Sequence, residues 1–302
     1  MRNTSVLGGE LVWLDRNGEV EVIASPGDVI SNPLPSPDGD RLAFTMGPPP
    51  NDSQIWVRDL ARGVNTRVSD LNGFVLAAGW SPDGRRLAVV NFDPSKGIEV
   101  RTHVLAADGS GAIGQPIDGV VSSFDEAWNY AVYGGRTAIG QMELRAFDVN
   151  KGKPLDKIVT TMEQARFDFS LSPDGSLLIY TTRETGQREV YCTRFPDGDG
   201  RWQVSTEGGR DPAWAPDGRS VYYRTDDGFH EVSLARDPEI RFGLPEPVLA
   251  TTPPAFETFQ VIKPEPTGER FLAVREQRDE KDSQPASISI IEHWHEAFGV
   301  RE

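Results

Sequence analysis

Hydrophobic and polar residues alternate in short runs along most of the chain. ELVWLD at 10–15, RLAFT at 41–45 and SVYYR at 220–224 are three such runs, and glycine-, proline- or aspartate-rich stretches separate them. This pattern is typical of β-strands joined by turns rather than of helices. No apolar run reaches the roughly 18 residues of a membrane-spanning helix, so direct membrane insertion is not expected. The pattern predicts an all-β protein.

A four-residue motif, Ser-Pro-Asp-Gly (Ala-Pro-Asp-Gly in one copy), recurs before an alternating run, and we call it the turn phrase. Its third residue is Asp38, Asp83, Asp174 and Asp217, which gives spacings of 45, 91 and 43 residues. Because 91 is two periods, a degenerate unit is expected near 126–130, with Phe124–Ala127 in place of the phrase. A further period predicts a unit near 262–267. The sequence therefore predicts six units of roughly 42 to 50 residues.

Each unit continues after the phrase with two further alternating runs separated by a turn. Four strands in a period of this length are typical of a propeller blade. The phrase itself is predicted to form the hairpin between the first and second strands. Proline presets φ for such a turn, aspartate bonds the backbone ahead of it, and glycine adopts the left-handed conformation. Trp80 and Trp214 directly precede the phrase and are predicted to pack between blades.

The chain begins out of phase with this repeat. GELVWLDRNGEVEVIA at 9–24 resembles a second half-unit without a first half, and ERFLAVRE at 269–276 supplies a first half near the other end. We therefore expect the N-terminal segment to complete the last blade beside the C-terminal strand, which removes an open sheet edge. Residues 1–302 are then one six-bladed β-propeller domain, with closing strands in 1–24 and a tail at 293–302. Deletion of 1–24 is predicted to destabilise the whole domain.

Composition and charge narrow the classes of partner. The net charge of −15 disfavours nucleic acid, whose phosphates the protein would repel. The single cysteine, Cys192, excludes an internal disulfide and lies in an alternating run, so it is predicted to be buried and unreactive. His293 and His295 in the tail lack a third metal ligand nearby in sequence. No metal site and no cofactor are predicted.

The candidate ligand site is a polar position that recurs four residues ahead of the phrase. Asn32, Asp168 and Asp211 hold it, Ala77 holds it in the second unit, and Arg166 and Arg210 lie beside it. Since first strands surround the channel of a propeller, these side chains are expected at a channel mouth. They fit either ion pairs in a hydrated mouth or a polar pocket for a small ligand, a peptide terminus or a cation. The chain has no Gly-x-Ser-x-Gly, His-Glu-x-x-His or paired-cysteine motif, so no catalytic residue is assigned.

The turn phrase followed by a basic residue and an apolar pair carries a family resemblance. WSPDGRRLAVV at 80–90 resembles the repeat of TolB-type, WD-repeat-like six-bladed propellers. LVWLDRNGEVEVIA, FPDGDGRWQVSTEGG and IIEHWHEAF are similar to the C-terminal propeller of bacterial membrane-bound serine/threonine kinases, although the kinase motifs themselves are absent. The resemblance implies a signalling or binding propeller, and an extracytoplasmic or periplasmic place in a longer chain, although this sequence has no signal peptide.

These observations predict a non-catalytic binding or sensing module. The propeller is expected to recognise a protein partner, a peptide or a small ligand. The alternative is a channel-metal-dependent lyase or hydrolase with Asp168 and Asp211 at the propeller mouth, and bound divalent metal would distinguish it. A purely structural scaffold is the third possibility, in which changes to the mouth residues affect stability alone.

Overall fold

The computed structural model describes residues 9–24, 30–47, 53–95, 99–136, 141–162, 168–248 and 259–276. The regular secondary structure of these ranges consists of 25 β-strands arranged in six antiparallel sheets, with no α-helix. Within the same ranges, no helix has the length and apolar character that a membrane span requires. The predicted tail at 293–302 lies outside the described residues. The six sheets are the blades of a propeller, as the repeat predicted.

The strands follow the chain blade by blade. The first two, β1 (Gly9–Asp15) and β2 (Val20–Ala24), belong to the last blade. Blade 1 contains β3 (Ile30–Pro35), β4 (Arg41–Met46), β5 (Gln54–Asp59) and β6 (Val64–Arg67). Blade 2 contains β7 (Phe74–Trp80), β8 (Arg86–Asp93), β9 (Glu99–Ala106) and β10 (Ile117–Asp118). Blade 3 contains β11 (Val120–Phe124), β12 (Tyr130–Arg136), β13 (Met142–Asp148) and β14 (Lys153–Met162).

The remaining blades complete the ring. Blade 4 contains β15 (Phe169–Leu171), β16 (Leu177–Thr182), β17 (Glu189–Arg194) and β18 (Arg201–Gln203). Blade 5 contains β19 (Arg210–Trp214), β20 (Ser220–Arg224), β21 (Phe229–Ala235), β22 (Arg241–Phe242) and β23 (Glu246–Pro247), and its last two short strands both pair with β21. Blade 6 combines β24 (Phe259–Pro264) and β25 (Arg270–Glu276) with β1 and β2.

The two ends of the described chain meet in blade 6. Its strand order is β2-β1-β25-β24, and β1 pairs with β25 in antiparallel register, with Trp13 opposite Leu272. Arg275 Nε donates to Glu10 Oε2 at 2.9 Å across the same strand pair. The predicted closure of the ring by the N-terminal segment is confirmed. The closure gives the inner strand β25 a partner in place of an open edge.

Apolar clusters join every neighbouring pair of blades. Blade 1 packs on blade 2 around Trp80, and blade 4 packs on blade 5 around Trp214. Both indoles also donate a hydrogen bond to the preceding blade, Trp80 Nε1 to the Leu34 carbonyl and Trp214 Nε1 to the Ser170 carbonyl, each at 3.0 Å. The predicted packing of these tryptophans between blades is confirmed. Because residues at equivalent positions of the repeat make equivalent contacts, the repeat predicts which residues pack between blades as well as where the strands lie.

The turn phrase forms the hairpin between the first and second strands. In the first copy, Gly39 N donates to the Ser36 carbonyl at 2.9 Å, and Gly39 has a φ of +75°. The Ser36 hydroxyl donates to Asp38 and accepts the Arg41 N–H, so the serine bonds both the aspartate and the start of the second strand. The phrase is therefore selected by turn geometry, as predicted.

The degenerate third copy lies one residue later than predicted. The four turn residues are Asp125–Trp128, not Phe124–Ala127, because Asp125 N donates to the Tyr130 carbonyl and Trp128 N to the Asp125 carbonyl. Asp125 replaces the serine by accepting two backbone N–H groups, from Asn129 and Tyr130. Trp128 takes the glycine position with a φ of +56°. An aspartate that substitutes for serine rather than for the phrase's own aspartate misled the alignment.

Candidate functional site

A cavity of about 1060 Å³ occupies the centre of the ring. Its wall comes from the first strands of all six blades and from the hairpins that follow them. We call the end of the channel surrounded by these six hairpins the turn mouth. Deeper wall residues such as Leu76 and Val120 are apolar, and they come from the opposite half of the same strands. The cavity has a size typical of ligand-binding pockets.

A collar of prolines surrounds the turn mouth. The second residue of the hairpin lines the cavity in every blade. It is Pro37, Pro82, Pro173, Pro216 and Pro266 in five blades and Glu126 in blade 3. Proline has no N–H to donate, whereas the Glu126 N–H donates to the Pro173 carbonyl of blade 4 at 3.0 Å. The collar is thus apolar except at one position, where an exposed carboxylate replaces the ring of proline.

Neighbouring hairpins of the collar touch one another. A β-carbon added at Gly218 would lie 3.6 Å from Pro173 Cδ, and one added at Gly175 would lie 3.1 Å from Asp125 Cβ. Both glycines have positive φ values, +67° and +70°. Close approach and left-handed backbone therefore both favour glycine at this position. These close approaches connect the hairpins of blades 3, 4 and 5 within the collar.

Two of the hairpin aspartates, Asp38 and Asp83, have pKa values below the ordinary value of an aspartate. The Ser36 hydroxyl, opposed by burial and assisted by the Asp40 N–H, lowers the pKa of Asp38. The Ser81 hydroxyl and the Arg85 N–H lower the pKa of Asp83 in the same way. In the four hairpins that contain the aspartate, the turn chemistry therefore also places a carboxylate beside the turn mouth.

The predicted polar position lies at the amino ends of the first strands and connects neighbouring blades. Asn32 lines the cavity, and its Nδ2 donates to the carbonyl of Ala77, the equivalent residue of blade 2, at 2.7 Å. Asp168 Oδ1 accepts the N–H of Asp211, the equivalent residue of blade 5, at 2.9 Å. Asp168 and Asp211 are not part of the cavity wall. Their demonstrated contacts hold blades together, and ligand binding by these residues stays a prediction.

The two predicted carboxylates influence each other at the boundary of blades 4 and 5. Burial, together with the negative charge of Asp211, raises the pKa of Asp168 to about 6. Asp211 has a φ of +53°, and its carboxylate lies 3.7 Å from Arg224 Nη1. Arg210 pairs with Asp226 at 2.6 Å and lies 3.9 Å from Asp211. The predicted Arg166 lies outside the described residues.

A polar cluster that sequence reasoning missed lies in the cavity wall between blades 5 and 6. Arg16 Nη1 is 3.0 Å from Glu231 Oε2, and Arg16 Nη2 donates to the Tyr222 hydroxyl at 3.0 Å. The Ser220 hydroxyl donates to Glu231 Oε1 at 2.6 Å, and the guanidinium lies 5.8 Å from the centre of the Phe271 ring. Arg16 and Glu231 are 215 residues apart, so no local pattern could have revealed their contact.

Reactive groups elsewhere in the described residues are few. Cys192 is buried, which confirms its predicted burial, and burial raises the pKa of its thiol to about 12. Among the described residues, no three His, Cys, Asp or Glu side chains cluster closely enough to hold a metal ion. The cavity, whose polar groups include the collar position Glu126 and the Arg16–Glu231 cluster, is thus the best-formed candidate site.

Comparisons with known proteins agree with the fold. No family model matches the chain. An 81-residue segment is 32% identical to the Tol-Pal system protein TolB of Alcanivorax borkumensis, and it spans 26% of this chain and 19% of that protein. A solved structure assigned to TolB of Agrobacterium tumefaciens has a TM-score of 0.65 and 17% identity over 90% of this chain and 99% of that one. An oligogalacturonate lyase in complex with manganese has a TM-score of 0.55 and 15% identity over 86% of this chain and 78% of that one. The chain therefore has a TolB-like six-bladed propeller fold.

Proposed function

We propose that this propeller is a non-catalytic recognition module that binds a partner protein at the turn mouth. The observation that carries the proposal is the cavity of about 1060 Å³ that opens through the collar of hairpins. Apolar side chains such as Leu34, Phe124 and Trp214 line it beside a few polar groups. Concave, mostly apolar sites with a small number of fixed polar groups are those that bind ligands. The likeness to a protein of the Tol-Pal system supports a protein partner rather than a small metabolite.

A blocked cavity tests this proposal. Ala78 lines the cavity, and Ala78→Trp places an indole where a ligand segment would lie. The wild type and the variant are used to capture crosslinked partners from an extract of the source organism. Asp227→Asn, in the exposed hairpin between β20 and β21, serves as the control. A partner retained by the wild type and the control but lost with Ala78→Trp supports recognition at the mouth. A partner captured equally by all three would move the binding surface to the outer faces of the blades.

The enzymatic alternative is supported by the likeness to the manganese-bound lyase and by the carboxylate pair Asp168 and Asp211. One oxygen of Asp168 already accepts the Asp211 N–H, which leaves the pair fewer oxygens for a cation. Titration of the protein with Mn²⁺ in a calorimeter distinguishes the two functions. Binding that disappears in an Asp168→Asn, Asp211→Asn double variant would favour the lyase. Retention of binding in the double variant would place the metal elsewhere.

A further inference from the structure

The charges of the cavity wall are unbalanced. Among the described residues that line the cavity, four carry a carboxylate and one carries a cation. The carboxylates are Asp125, Glu126, Asp217 and Glu231, and the cation is Arg16. The whole chain carries a net charge of −15, so the field outside the cavity has the same sign as the field within it. Clefts lined by one sign of charge concentrate that field and attract ligands of the opposite sign.

Among the described residues, three of the four carboxylates have no cationic partner, and two of these three are exposed. Asp125 accepts two N–H groups of its own hairpin, and Glu231 is paired with Arg16. Asp217 accepts the Arg219 N–H at 2.9 Å, and neither Asp217 nor Glu126 pairs with a Lys or Arg in the described part of the chain. Both side chains are exposed at the turn mouth. They are therefore available to a cation that approaches through the collar.

The protein itself shows how a guanidinium is accommodated in this wall. Arg16 comes from the turn between β1 and β2 and reaches across to blade 5. Its two terminal nitrogens contact a carboxylate and a phenol, and its plane lies near an aromatic ring. A carboxylate beside an aromatic or apolar surface suits the amphipathic side chains of arginine and lysine, whose stems bury while their charges remain paired.

We propose that the segment recognised at the turn mouth is basic, with arginine or lysine side chains that pair with Glu126 and Asp217 while apolar neighbours contact the cavity wall. This inference rests on the proposed function, because it specifies the chemistry of the partner at the same site. It assigns the exceptional collar residue, Glu126, a role in specificity. The same wall would repel an acidic segment, so the carboxylates also discriminate between partners.

Selection from a phage-displayed library of random 12-residue peptides on the immobilised full chain tests the inference. Soluble Ala78→Trp protein is added as a competitor, so that only peptides dependent on the open cavity are recovered. A second selection uses soluble Ser122→Trp, altered at another cavity-lining residue, as the competitor. It replaces the first selection if Ala78→Trp does not fold. The selected peptides are then synthesised, and their affinities are measured by fluorescence anisotropy at two salt concentrations.

Charge-neutralising variants supply the decisive measurement. We expect the selected peptides to be rich in arginine and lysine and to bind about two- to fivefold more weakly to each of Glu126→Gln and Asp217→Asn. Their binding should also weaken with salt and stay unchanged in the control Asp227→Asn. Cavity-dependent peptides that are neutral or acidic, or that ignore both substitutions, would overturn the basic partner but leave recognition at the mouth intact. Failure to recover any cavity-dependent peptide would overturn both.

Discussion

The raised pKa of Asp168, at the boundary of blades 4 and 5, makes the stability of the folded protein dependent on pH. The Asp168 carboxylate is partly buried, accepts the Asp211 N–H at 2.9 Å, and lies close to a second carboxylate. Burial and that neighbouring charge raise the pKa of Asp168 from 3.8 to about 6. The folded protein therefore binds this proton more tightly than the unfolded chain. The resulting penalty is absent below the unfolded value, grows as pH rises from 3.8 to about 6, and is complete above it.

Replacement of Asp168 by asparagine removes the charge and keeps an oxygen for the Asp211 N–H. At 1.36 kcal/mol for each pKa unit, the ionised carboxylate lowers the free energy of unfolding by about 3 kcal/mol at pH 7.5. By the same linkage, Asp168 lowers the free energy of unfolding by only about 1 kcal/mol at pH 4.5. Blade 1 already has a neutral residue, Asn32, at this position. We therefore expect Asp168→Asn to gain about 2 kcal/mol of stability relative to the wild type as pH rises from 4.5 to 7.5.

Urea denaturation of the wild type and of Asp168→Asn at several pH values between 4.5 and 7.5 measures this difference. Asp227→Asn removes a carboxylate from an exposed hairpin and controls for the change in net charge. Its stability relative to the wild type should be nearly independent of pH. A constant difference between Asp168→Asn and the wild type across the range would refute the reasoning, because it would mean that Asp168 titrates alike in the folded and unfolded states.

Three further substitutions test the packing of the ring. Gly218→Ala should lower the free energy of unfolding in urea by about 1 kcal/mol. The cause is the left-handed backbone, which disfavours a β-carbon, rather than a clash with neighbouring atoms. An unchanged free energy of unfolding would contradict this. The free energy of unfolding of Glu189→Gln should stay within about 1 kcal/mol of the wild-type value, since Gln54 of blade 1 makes the equivalent buried bond to a serine. A loss as large as that of Glu189→Ala, measured in parallel, would show that the charge is required. Trp80→Phe should lower the free energy of unfolding by about 1–2 kcal/mol through loss of the bond to Leu34, and an unchanged thermal midpoint would contradict that.

The repeat made most of the fold predictable from the sequence. The turn phrase specifies one hairpin by the order of its serine or alanine, proline, aspartate and glycine. The number of times that the phrase recurs specifies the number of blades. The third hairpin was misplaced by one residue because Trp128 occupies a left-handed position that normally signals glycine. The backbone bonds that assign Asp125 to the serine position are visible only in the folded chain. A turn could be predicted from the sequence wherever each residue of the phrase had its usual role in the turn.

The candidate site was harder to predict because its parts are distant in the sequence. The recurring polar position was found, but periodicity could not show that Asn32 and Asp168 bond to the next blade. Glu126 was visible in the sequence, yet the misplaced alignment assigned it to the aspartate position instead of the proline position. The contact of Arg16 with Glu231 joins the first and fifth sixths of the chain, and only ring closure brings them together. Correct alignment of the hairpins was the one signal that could have revealed the exceptional collar residue.

Closure of the ring by β1 and β2 has a consequence for the order in which the protein is assembled. Blades 1 to 5 each consist of neighbouring hairpins, so each can form as soon as its own stretch of chain is available. In blade 6 the hairpin of β1 and β2 can form early, but its inner edge lacks the partner strand β25 until more than three quarters of the chain has been made. Such distant pairing is slow, because the entropy of a long loop is lost before any contact forms. We expect blade 6 to form last during synthesis and to separate first when the chain is pulled from its N-terminal strands.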